Sequence, residues 1–89
     1  MTSIQPSSAE PEKFWYEGFV KGDRFIPVAG PFRTREEADA IHHRAAVEAD
    51  KMHPGLWFET WGVASYLSGE WRGKLNDLLG VVPYTPSQP

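Results

Sequence analysis

Pro27 constrains the fold of this chain more than any other residue. It lies in the second of two apolar segments, residues 13–20 (KFWYEGFV) and 24–29 (RFIPVA). Both are rich in aromatic and β-branched side chains, which suit a strand. Gly22-Asp23 between them fits a two-residue hairpin loop with glycine at the first central position. Proline has no N–H to give to a ladder, so the second strand belongs at a sheet edge. A later strand must then pair with the first, and the expected order is 2-1-3.

The helix that follows is announced by its start. Thr34-Arg35-Glu36-Glu37 is a capping box, in which Thr34 caps the first turn and Glu37 reaches back. From there Ala38, Ile41, Ala45, Ala49 and Met52 recur at spacings of three and four, predicting one long helix over residues 35–52. The stripe is small, so the helix can lie close to the sheet. His53-Pro54-Gly55 stops it. Residues 56–67 (LWFETWGVASYL) read as the third strand, with Gly62 marking a bulge or bend.

After Ser68, Trp71, Leu75, Leu78 and Leu79 share one helical face, and Gly80 closes the segment. Gly73 weakens that helix. A hairpin turning at Ser68-Gly69 into a short strand is the alternative for residues 69–79. The expected class is α+β, with element order β-β-α-β-α. A three-stranded antiparallel sheet of order 2-1-3 carries one long helix on one face and a short C-terminal helix.

Composition limits where the core can be. Residues 1–12 and 81–89 are dominated by Pro, Ser and polar side chains, which cannot offset the entropy of ordering the chain. They are expected to be disordered tails around a single domain at residues 13–80, near the lower size limit for one core. Twelve aromatic residues, four of them tryptophan, make such a core feasible. Cysteine is absent, which excludes disulfides and thiolate zinc sites. No apolar run is long enough to span a bilayer. The first residues lack a signal-peptide pattern, so the expected location is the cytoplasm.

Strand alternation gives the sheet two apolar faces. Trp15, Phe19, Ile26 and Val28 share one; Phe14, Tyr16, Val20 and Phe25 share the other. One long helix covers one face. Either residues 69–79 cover the second, or a partner does, since Trp and Tyr are favoured at interfaces. The candidate protein-binding residues are therefore Trp15, Tyr16, Trp57 and Trp61, with Arg33 and Arg35 at the helix start.

No pattern points to catalysis, a cofactor or a metal. His42 and His43 are adjacent on a helix and diverge by about 100°, so they read as solvated surface residues. No hydroxyl has a base and an orienting group at recognisable spacing. The glycines at 22 and 30 are turn glycines. Net charge is −3, and outside the N-terminal tail nine basic residues balance ten acidic ones. That is too neutral for a strong phosphate-binding field. Nucleic-acid binding through sheet aromatics with Arg24, Arg33 and Arg35 is the alternative reading.

The stretch Gly30-Pro31-Phe32-Arg33-Thr34-Arg35-Glu36-Glu37-Ala38, with a strand before it and a helix after it, resembles small phage and mobile-element accessory proteins. In size and layout the chain is similar to some anti-CRISPR proteins. The resemblance implies a non-catalytic module that binds another protein stoichiometrically, as an inhibitor of a host complex. The expected partner is a host protein or a second copy of this chain, with no membrane and no cofactor.

Overall fold

The computed structural model describes residues 12–86. Strands β1 (Phe14–Lys21) and β2 (Arg24–Phe32) form a hairpin, followed by helices α1 (Arg35–Ala40) and α2 (His42–Met52). A single 3-10 turn at Leu56–Phe58 leads into β3 (Thr60–Tyr66), and a last turn of helix, α3, spans Asn76–Leu79. The sheet is antiparallel with order β2-β1-β3, so β2, carrying Pro27, is an edge as its proline requires. Of the expected tails at residues 1–12 and 81–89, residues 1–11 and 87–89 lie outside the described residues.

Local chemistry accounts for the hairpin and the helix start. Gly22 has φ 65°, a turn conformation that glycine adopts at low cost. The Thr34 hydroxyl accepts the Glu37 N–H at 3.1 Å, and the Glu37 carboxylate reaches back to the Arg33 N–H at 3.2 Å. Ala38, Ala45, Ala46 and Ala49 are buried, so the small stripe does let the helices lie on the sheet. Ala45 and Ala49 join Ala29, Leu75 and Leu79 in the core, with Val28, Phe32, Ile41 and Trp61 packed around them.

The expected single helix is broken at Ile41. Neither glycine nor proline occurs in the run, so the break comes from tertiary contacts. Ala38 is held in the core while His42 bonds to β1. The third strand starts later than expected, at Thr60. The Asp50 carboxylate accepts the N–H groups of Gly55 and Trp57 at 2.9 and 3.0 Å, which holds Trp57 in a turn. Gly62 pairs in register with Gly18, and the irregularities lie instead between β1 and β2, around Glu17.

The C-terminal segment departs most from the expected helix. Only Asn76–Leu79 is helical. Residues before it run along the outer edge of β2, where the Gly73 N–H donates to the Gly30 carbonyl at 3.0 Å and the Leu75 N–H to the Val28 carbonyl at 2.9 Å. Unpaired edge carbonyls therefore outcompete a helix that Gly73 already weakened. Asn76, itself buried, accepts the Gly30 N–H at 2.9 Å and donates to the Gly30 carbonyl at 2.7 Å. Beyond Gly80, the Tyr84 N–H donates to the Pro31 carbonyl at 2.9 Å, so the segment contacts the domain past residue 80.

Candidate binding cleft and a buried glutamate

Even-numbered residues of β1 and β3 point to the face away from α1 and α2. Tyr16 sits at the centre of that face. Its ring meets Tyr66 edge-on at 5.4 Å between centroids and Trp71 at 5.7 Å, and its hydroxyl donates to the Trp71 carbonyl at 2.8 Å. Tyr66 also lies 6.4 Å from the Phe25 ring. Burial pushes the Tyr16 phenol above its ordinary pKa, with Arg72 opposing, so the hydroxyl remains a donor.

The C-terminal segment covers this face only in part. Leu75 and Leu79 turn into the helix-side core, Leu78 faces solvent, and Trp71 alone lies over Tyr16. A single segment cannot follow the edge of β2 and also cross the sheet. The result is an open cleft of about 590 Å³ lined by Tyr16, Pro27, Tyr66, Leu67, Ser68 and Trp71. Leu67 is 71% exposed, and Tyr66 and Trp71 are each 41% exposed. Beside it, Gly62 leaves open space over its backbone, while its cross-strand partner Gly18 is buried. A Cβ on Gly18 would strike the Ile26 carbonyl, so the fold needs that glycine, whereas a Cβ on Gly62 would meet nothing within 4 Å.

The residues singled out from sequence do not converge. Tyr16 is buried beneath the cleft, and its neighbours Tyr66, Leu67 and Trp71 form the accessible surface. Trp61 faces the helices and packs on Phe19 at 5.2 Å, with its indole N–H on the Leu56 carbonyl. Trp57 is exposed on the 3-10 turn and shares a shallow 280 Å³ hollow with Trp61, His42, Ala46 and Glu59. Trp15 is half-buried, and Arg33 and Arg35 are exposed beside the start of α1. These last three line neither hollow.

Glu17 has the most unusual environment. It is fully buried in the central strand, paired with Ala29 and Val63, and its Oε2 lies 3.0 Å from His42 Nδ1. Its Oε1 has no hydrogen-bond partner among the described residues. Burial pushes the carboxyl up to about 7; the bond to His42 and its charge oppose this, and Asp39 adds to it. His42 is therefore a structural partner as well as a surface residue. His43 faces Trp57 edge-on at 5.4 Å. The sequence held a signal for Glu17, which falls between Trp15 and Phe19 in the alternation that faces the helices.

No family model matches the chain, and comparison with curated proteins and solved structures likewise gives no match. No helix among the described residues is long and apolar enough to cross a membrane.

Proposed function

We propose that the chain is a non-catalytic protein-binding module whose contact surface is the partly covered sheet face around Tyr66, Leu67 and Trp71. One observation carries this reading. A cleft walled by large apolar side chains stays open in a domain that has little core to spare. Exposed apolar rings on a rigid sheet lose little entropy when a partner covers them, which favours them as anchors. Such a module would act stoichiometrically, as an adaptor or as an inhibitor of a host protein complex like the phage accessory proteins it resembles.

The test compares capture of cytoplasmic proteins by the parent chain and by Leu67→Asp. Leu67 is exposed, so the variant keeps its fold while a charge enters the cleft. A protein retained by the parent and lost with the variant supports the reading. Equal retention by both contradicts it, as does capture of nucleic acid alone with steep salt dependence.

A further inference from the structure

We infer that the outer edge of β3 is a homodimer edge, where two copies join strand to strand, antiparallel, into one six-stranded sheet. The two edges of the sheet are finished very differently. On β2, Pro27 removes one donor, and Gly73, Leu75, Asn76 and Tyr84 bond the carbonyls of Val28, Gly30 and Pro31 and the Gly30 N–H. On β3, the backbone has no partner other than β1 among the described residues. Natural edges are blunted by proline, charge, bulges or covering chain. Thr60–Tyr66 (TWGVASY) has no proline, no charge and no bulge.

The strand is complementary to itself. Antiparallel pairing centred on Val63 sets Thr60 opposite Tyr66, Trp61 opposite Ser65 and Gly62 opposite Ala64. Every large ring then meets a small or hydroxyl side chain, and no like charges face each other. Just outside the strand, Phe58 of one copy comes level with Ser68 of the other, next to its Leu67. Phe58 is 86% exposed and Leu67 is 71% exposed, and the two-fold axis repeats this contact at both ends. A glycine in a strand often marks the close approach of another backbone. Gly62 flanks the proposed axis, and nothing inside one copy requires a glycine there. The axis is perpendicular to the sheet, so both clefts open on the same side of the dimer. The edge meets the cleft at Leu67, so the test substitutes Phe58, which lies outside the cleft.

Sedimentation of the full chain over a concentration series, combined with amide hydrogen exchange, tests this. The expected result is a monomer–dimer equilibrium in which exchange at residues 60–66 slows as dimer forms. Phe58→Asp should weaken association by about tenfold or more while leaving the melting temperature of the dilute monomer unchanged. A monomer up to about 1 mM, the weak limit for a specific contact, would overturn the inference. So would a dimer with unslowed β3 amides, which would be joined through the sheet face. Protection of both edges of β3 in the monomer would also overturn it, because the chain itself would then cover the edge.

Discussion

Glu17 Oε2 and His42 Nδ1 lie 3.0 Å apart and join the middle of the central strand to the first turn of α2. The carboxyl is fully buried, its ordinary value is 4.5, and in the fold it is pushed up to about 7. Folding therefore favours the protonated acid. That contribution to stability is fully present below pH 4.5 and is lost as pH rises through about 7.

Glu17→Gln should remove this pH dependence. Relative to the variant, the parent should lose stability on the order of 3 kcal/mol between the two values. Urea denaturation of both chains from pH 5 to pH 9 checks it. Parallel stability curves would show that the carboxylate is accommodated as readily in the fold as in water.

Asn76 is the clamp between α3 and the edge of β2. Asn76→Ala leaves the buried Gly30 N–H without its acceptor and should cost about 1–3 kcal/mol. Asn76→Asp keeps the acceptor but cannot donate to the Gly30 carbonyl when ionised, so it should be less stable at neutral than at acid pH. Thermal melts of both variants, with the parent as reference at each pH, read the effect.

Gly73 separates two accounts of the C-terminal segment. If residues 69–79 were helical, Gly73→Ala would stabilise the chain by about 1 kcal/mol. Here a Cβ at Gly73 would lie 2.4 Å from the Ala29 Cα and 2.5 Å from the Val28 carbonyl oxygen. The substitution should therefore destabilise, by about 1–3 kcal/mol. The sign of the change in denaturation midpoint decides between them.

Much of the fold was legible because single residues imposed it. Pro27 set the sheet order through its missing donor, Thr34 and Glu37 set the start of α1, and the alanines set the helix face. These are local rules with one strong solution each. The break at Ile41 and the edge-following course of residues 68–75 were not legible. Both depend on groups distant in sequence, Glu17 in one case and the carbonyls of Val28 and Gly30 in the other. The contact surface was half legible. Strand alternation identified a second aromatic face containing Tyr16, but exposure passed to Tyr66, Leu67 and Trp71. Trp57, expected in the third strand, lies outside it because Asp50 holds its backbone in a turn.

The central claim is that a partner protein docks on the cleft face, and photo-crosslinking from that face tests it most directly. A photoreactive phenylalanine analogue replaces Leu67 in one chain and Glu36, exposed in α1, in another. The account predicts that position 67 forms a covalent adduct with one protein other than a second copy of this chain, excess unlabelled parent suppresses it, and position 36 gives none. Adducts of equal yield from both positions, or none from position 67 to any protein but a second copy, would contradict it.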